Sequence, residues 1–447
     1  MPRQPNGRPA IYQAADGGYH TFVSTSKGRR HVRGKTATEV ADKVTELQGK
    51  LRIGHVPDAG KSPTLGSWLE HYLTVIAPRN VRGSTLQGYE SKMRHNVIPA
   101  LGHLKLSTPV AELAEKVETW FGRFEKRVAP ATALQTFRIL DKALSIAVMR
   151  GRLPRNPCDL MEPPSGGSDE VKPLTAPELR RILVAAKAHD ALARWWVALA
   201  LGLRQGETLG LMWDHVDLDS EVPALTVRWE LIRLKWRHGC DENPCGKKRG
   251  ADCPERHGGG LVFEPPKSKK GRRTIPIPAL IADVLRMHRK LQRELSMRNR
   301  GDWRKVAGPD GENGGLVFPN RFGAPCSPED DWEQWKAILV AAQVRTVTRT
   351  AQRGRKAGQS YETSTVKVHD ARHAAGTVLR GTGAERQELM EWLGHAQIGV
   401  SARYTHTPEN LMQERAERLN DAWKAIAADE GTVTDLGQAR QRRRQAQ

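Results

Sequence analysis

Residues 195–207 read WWVALALGLRQGE. From Trp195 to Leu203 nothing more polar than glycine occurs, and then Arg204 arrives with Glu207 three positions on. A run this apolar, followed by a charge, reads as a buried helix that delivers a guanidinium to the mouth of a core. Gly202 and Gly206 flank the arginine and let the backbone approach a ligand closely. A snorkelling arginine, with its stem on apolar surface and its head in water, would give the same pattern. Glu207 is placed to orient Arg204, or His369 from further along the chain.

The segments around this run are mixed. Thr175 and Glu178 form a capping-box pattern that opens a helix to about Ala188. PALTVRWELIRL (223–234), GGLVFEP (259–265) and RRTIPIP (272–278) are β-rich, with Ile275 and Ile277 on one face. A long basic helix is expected over Pro278–Asn299, and another from a Ser327 cap to about Val344, after LVFP (316–319). Helices around His369, Leu389, Ser401 and Met412 close a domain spanning 174–425. Upstream, residues 65–163 read as nearly all helix: Leu65–Ile76, Ser84–Ile98, a third capped by Thr108 with Pro109 in its first turn, and Pro130–Arg150 stopped by Gly151. Residues 55–64 and 156–173 have linker composition. Residues 1–55 combine three short β-leaning runs with a helix whose stripe is Val40, Val44 and Leu47. Residues 429–447 form a polar, basic tail expected to be disordered. The fold class is therefore α+β and multidomain: a small sheet-plus-helix module, an all-helical domain, and a mixed, mainly helical domain with a small antiparallel sheet.

Formal net charge is +21 and the pI is near 10.0 across 447 residues. The excess recurs in separate places, notably Arg29, Arg30 and Arg33, then Lys267, Lys269, Lys270, Arg272 and Arg273, then Arg345–Lys356. A polyanion, most simply nucleic acid, is the partner such a surface fits. No apolar run nears the roughly 20 residues of a membrane span, and the N-terminus MPRQPNGRPA lacks an apolar signal core. Five cysteines, an odd number, argue against a disulfide framework. A cytoplasmic, nucleoid-associated protein with no membrane partner is expected.

Besides the Arg204 run, three segments carry chemistry. In HDARH, His369 and Arg372 are three apart and share a helix face, offering a proton-carrying imidazole and a planar, bidentate guanidinium. In PPKSKKGRRTIPIP (265–278), Lys267, Lys269 or Lys270 could reach a leaving oxygen from a turn, and spacing alone does not choose among them. In LGHAQIGVSARYTHT (393–407), His395 follows a glycine and Tyr404 lies nine residues on. Tyr361, in a Gly/Ser-rich approach to HDARH, is a poor place to fix a nucleophile. Each piece has an ordinary reading, as a solvated turn, an exposed helix or a packing tyrosine. Together two guanidiniums, an ammonium and two imidazoles can surround a dianionic phosphorane, and a phenol can attack it. No metal is needed.

The ordered set Arg-x-x-Glu, β-turn Lys, His-x-x-Arg, Gly-His and Tyr resembles the tyrosine recombinase (phage integrase) family. The resemblance covers 174–425, extends to 65–163 as a helical core-binding (SAM-like) domain, and more weakly to 1–55 as an arm-type DNA-binding module. It implies a site-specific DNA recombinase of a phage or other mobile element. Tyr404 would form a 3′-phosphotyrosine, Arg204 and Arg372 would stabilise the non-bridging oxygens, and Lys267 would protonate the leaving 5′-oxygen. His369 would assist proton transfer and His395 would hydrogen-bond the phosphate. The implied partners are double-stranded DNA attachment sites and a homotetramer on paired sites, with the helix Pro408–Ala428 docking on a neighbour. Room is left for a directionality factor or a DNA-bending host protein. The alternatives are a type IB topoisomerase-like enzyme and a catalytically silent DNA-binding regulator.

One stretch departs from that pattern. WRHGCDENPCGKKRGADCPERHGGG (236–260) interrupts the β-region just before Lys267. Cys240, Cys245, Cys253 and His257, with His238 in the same stretch, admit a structural zinc, although the spacing matches no standard finger. An insertion with reduced thiols is the competing reading.

Overall fold

The structure, a computed structural model, describes residues 9–25, 28–52, 63–167, 172–240, 245–267, 271–352, 357–394 and 409–428. Lys269, Lys270, His395, Tyr404, the helix expected around Ser401 and the 429–447 tail lie outside them. Two compact units divide at Asp169/Glu170. Among the described residues no helix is long and apolar enough to cross a membrane.

The first unit holds two separate cores. In the smaller, β1 (Tyr12–Gln13), β2 (Tyr19–Thr25) and β3 (Gly28–Gly34) form an antiparallel sheet under α1 (Ala37–Arg52). Val23 and Val32 from the sheet meet Val40, Val44 and Leu47 from the helix, because strand alternation and helical spacing both turn these positions inward. The start of α1 is closed by Thr36 Oγ1, which accepts the Glu39 N–H at 3.2 Å, while the Glu39 carboxylate accepts the Lys35 N–H at 2.7 Å.

The second core is helical. It comprises α2 (Leu65–His71), continued by a π-helical turn at Tyr72–Ile76, then α3 (Gly83–Lys92) and a second π turn at Met93–Val97. The short α4 (Ile98–Leu101), α5 (Val110–Phe124) and α6 (Pro130–Met149) complete it. Leu69, Leu73, Leu113, Phe121, Phe124 and Leu140 interlock at its centre, and the Trp68 indole donates to the Ala143 carbonyl at 2.9 Å. Thr108 does not cap α5 as expected. Pro109 takes the cap position with a non-helical ψ of 137° and no side-chain bond, so the first helical turn begins at Val110.

The second unit begins with α7 (Ala176–Ala188), whose Thr175–Glu178 capping box is formed in both directions. α8 (Leu192–Trp196) runs into a π turn at Val197–Leu201, and α9 (Gln205–Leu209) follows. The long β-rich reading of 223–234 splits in two. β5 (Ala224–Val227) lies between β4 (Val216–Asp217) and the later β8 (Arg273–Pro276), while β6 (Glu230–Leu234) pairs with β7 (Gly260–Glu264) as its own hairpin. Ile275 and Ile277 are both buried, as alternation requires. α10 (Ala279–Arg298) and α11 (Pro328–Ala341), the latter capped by Ser327 at 3.0 Å, pack over the core. A further hairpin, β9 (Thr346–Thr350) with β10 (Ser360–Ser364), occupies a stretch that read only as basic and Gly/Ser-rich. Its polar, largely exposed strands carry no apolar alternation to detect.

α12 (Val368–Gly381), α13 (Arg386–Leu393) and α14 (Glu409–Ala427) complete the unit. α14 packs on its own unit. Leu419 and Trp423 are fully buried, and Trp423 meets Trp196 edge-on at 5.2 Å. Asn420 accepts the Leu280 N–H at 2.9 Å, and Arg415 pairs with buried Glu388 at 3.0 Å.

Candidate active site

The helix ending at Leu201 stops because Gly202 takes a left-handed backbone, φ 67°. A Cβ there would press on Leu393 and Ala375, so the turn requires glycine both for space and for conformation. The chain leaves in extended form and Arg204 stands immediately before α9. Glu207, one turn in, reaches back: its carboxylate accepts the Arg204 N–H at 2.9 Å and the Arg204 Nη1 at 2.5 Å. Beneath this turn, Gln205 bonds Asp331 at 2.9 Å, and Asp331 is gripped by Arg194 at 2.8 Å through both oxygens. Arg194 lies over the Trp195 ring, which stacks on Trp335 at 4.1 Å. The apolar run thus becomes a rigid footing for Arg204.

Three guanidiniums from distant segments converge on the C-terminal end of α13. Arg273 Nε donates to the Trp392 carbonyl at 2.7 Å, Arg372 Nη2 to the Leu393 carbonyl, and Arg204 Nη2 to the Gly394 carbonyl at 3.2 Å. Helix C-terminal carbonyls lack intrahelical donors and carry the negative end of the dipole, so they welcome cations. Arg372 Nη1 also donates to Gly202 at 2.7 Å. On the other side Glu207, with no side-chain exposure, pairs with Arg273 at 3.0 Å and lies 3.9 Å from Arg372. One carboxylate and one helix end therefore hold three cations together.

The electrostatics follow from that crowding. Burial alone would raise the Glu207 pKa, but Arg273 and Arg204 outweigh it and hold the carboxyl below its ordinary value. Burial, then Arg204, pulls Arg372 down to about 9 with Glu207 opposing, which leaves it a cation at neutral pH. Side-chain exposure separates the three: 36% for Arg204, 7% for Arg273 and 3% for Arg372. Arg204 is the guanidinium most open to an incoming anion.

His369 sits at the surface in the first turn of α12, with its ring edge-on to His373 at 4.8 Å. Partial loss of water, then His373, Arg372 and Arg204, lower its pKa, so the ring is neutral at pH 7. Lys267 is exposed in the turn after β7, and Arg272 is exposed with its guanidinium 6.0 Å from the Trp229 ring. Arg273, expected beside Arg272 on DNA, is turned inward to Glu207 because strand alternation sends neighbours to opposite faces. Sequence reading missed this third guanidinium; its only signal was that β8 places Arg273 and Ile275 on one side. In the N-terminal sheet, Arg29 and Arg33 are exposed with His31 and Phe22, opposite Val32, and Arg30 is half-buried. His395 begins directly after Gly394, the last described residue of the cluster.

The β6–β7 tip brings Cys240, Cys245 and Cys253 together with His238, all four ligand atoms within 4.8 Å of one another. His257, expected as the fourth member, is not among them. Its backbone pairs with Arg237 at 2.9 and 3.1 Å, and its Nε2 donates to the His238 carbonyl at 3.0 Å.

Comparison with known proteins agrees with this architecture. The phage integrase family profile matches residues 256–410, and the profile of the phage integrase N-terminal SAM-like domain matches 64–108. A protein named Integrase from Saccharopolyspora erythraea is 33% identical, over 94% of this chain and 97% of its own length. A Tyrosine recombinase XerC-like protein from Caldanaerobacter subterraneus subsp. tengcongensis is 26% identical, over 88% and 92%. The fold is shared with the Tn1549 transposon integrase solved with transposon right end DNA, at TM-score 0.55 and 19% identity, covering 80% of this chain and 99% of that one. On these grounds the chain belongs to the phage integrase family and is a tyrosine-type site-specific recombinase.

Proposed function

We propose that this recombinase cuts and rejoins double-stranded DNA through a 3′-phosphotyrosine on Tyr404, serving integration and excision of a phage or other mobile element. The observation that carries the reading is the convergence of Arg204, Arg273 and Arg372 at the C-terminus of α13, with Arg204 partly open. A scissile phosphate beside Arg204 would gain a strong, charge-assisted partner. Each terminal nitrogen of Arg372 carries a second N–H, which would reach toward the same anion. Tyr404 Oη would attack phosphorus and the 5′-oxygen would leave, protonated by Lys267. The phenol proton would pass to neutral His369, and His395 would donate to a phosphate oxygen. Attack by a 5′-hydroxyl from a second duplex would reverse the step, so no cofactor is required.

The helical domain over 65–163 and the exposed Arg29 and Arg33 of the N-terminal sheet would grip DNA around this site, and a homotetramer would pair two sites at the nucleoid. The Tn1549 relative solved on DNA supports DNA as the substrate. The test is a suicide substrate carrying the attachment site, with wild type and Tyr404→Phe compared. Wild type should form a covalent adduct, and the Phe variant should bind DNA without one. An adduct formed by the Phe variant would remove Tyr404 as the nucleophile.

A further inference from the structure

We propose that His238, Cys240, Cys245 and Cys253 form a tetrahedral site for one zinc ion that holds the tip of the β6–β7 hairpin together. Three of the six distances among the four ligand atoms have the lengths of a ligand shell, and none exceeds 4.8 Å. With Zn–S near 2.3 Å and Zn–N near 2.0–2.1 Å, a tetrahedron has S···S edges of about 3.8 Å and S···N edges of about 3.6 Å. Here Cys253 Sγ lies 3.6 Å from Cys240 Sγ, and His238 Nδ1 lies 3.8 Å from Cys240 Sγ and 3.5 Å from Cys245 Sγ. These edges have the lengths a shared ion would impose. Three sulfurs cannot all be satisfied as disulfides, since one is always left over. Three thiolates and one imidazole are the donor set that selects zinc.

A second observation points the same way. Among the described residues of 236–260, only Cys240 and Cys253 are buried. The tip has no apolar core, yet it folds back tightly. Side chains at Gly239, Gly250 and Gly259 would collide with Glu255 or Trp236. A segment this short, closed without hydrophobic burial, needs another source of cohesion, and a metal supplies it. The Cys245 N–H donates to Cys240 Sγ at 3.4 Å, the kind of bond that stabilises a metal-bound thiolate. β7 leaves this tip and leads directly to Lys267, so the ion would also anchor the base of that turn.

The test uses the full-length chain, purified without chelators and dialysed against metal-free buffer. Elemental analysis should find about one zinc per chain, as one closed four-ligand site requires. Cobalt(II) exchanged into the wild-type protein should give intense tetrahedral d–d bands and sulfur-to-metal charge transfer. His257→Ala should keep the metal through dialysis, whereas His238→Ala and Cys253→Ser should release it. Absence of zinc both as purified and after incubation with zinc chloride overturns the proposal. So does full zinc retention in a Cys240→Ser/Cys253→Ser variant, or a cobalt spectrum without thiolate charge transfer. If the serine variants fail to fold, the histidine pair and the wild-type cobalt spectrum still decide.

Discussion

Glu207 and Arg273 stand 66 residues apart in the chain and meet as a buried pair, Oε2 accepting from Nη2 at 3.0 Å. Glu207 is the only carboxylate among the described residues paired with more than one of the three clustered guanidiniums. Replacing it with glutamine keeps the shape and removes the charge, which leaves buried cations uncompensated. Glu207→Gln is expected to cost about 3 kcal/mol of stability, read by denaturant unfolding, and to lower strand transfer more than DNA binding. A stability change under about 0.5 kcal/mol would contradict the arrangement.

The same carboxylate sets an acid limit. Its folded pKa lies below the ordinary 4.5, so the folded state holds fewer protons than the unfolded chain near that pH. This contribution to stability is fully present above about pH 4.5 and is lost as pH falls through the lower folded value. Wild type should therefore lose stability below pH 4.5 more steeply than Glu207→Gln, as followed by urea midpoints across pH 3–6.

Arg272 and Arg273 are neighbours in sequence with opposite surroundings, and salt should separate them. Arg272→Ala removes an exposed cation, and the slope of log K against log salt for DNA binding should fall by about one. Arg273→Ala should leave that slope unchanged while costing about 3 kcal/mol of stability. A slope left at the wild-type value in Arg272→Ala would show that Arg272 makes no phosphate contact.

His369 is neutral at pH 7 because its pKa is lowered, the form needed to accept a phenol proton. The acid limb of the cleavage rate should lie below pH 6.5 and vanish in His369→Gln, whose rate should be low and flat. A limb that persists in the variant would assign the titration to another group.

Trp423 closes the α14 seat against Trp196. Trp423→Ala should destabilise the second unit by about 3–5 kcal/mol, with the helical domain of the first unit keeping its own transition. Calorimetry on the full chain would resolve the two. An unchanged profile would mean that α14 does not rest on its own unit in solution.

Much of the fold was legible before coordinates. The apolar run at Trp195–Leu203, the Thr175–Glu178 box, the Ser327 cap and the Val40–Val44–Leu47 stripe are local patterns, and local patterns follow from backbone sterics and helix geometry. The β9–β10 hairpin was missed because its strands are polar on both faces. The split between β5 and β6 was missed because Arg228 and Trp229 interrupt the ladder without any turn residue.

Within the site, residue order and the family resemblance pointed to Arg204, Glu207, His369 and Arg372, and the structure brings Arg204, Glu207 and Arg372 together. Three further matters were decided only by the tertiary structure. Arg273 turns inward, His238 displaces His257 beside the cysteines, and α14 seats on its own chain. In each case the choice lies between chemically similar side chains or surfaces. Burial, strand pairing and long-range hydrogen bonds make that choice, and none of these is encoded within a few residues of the position concerned.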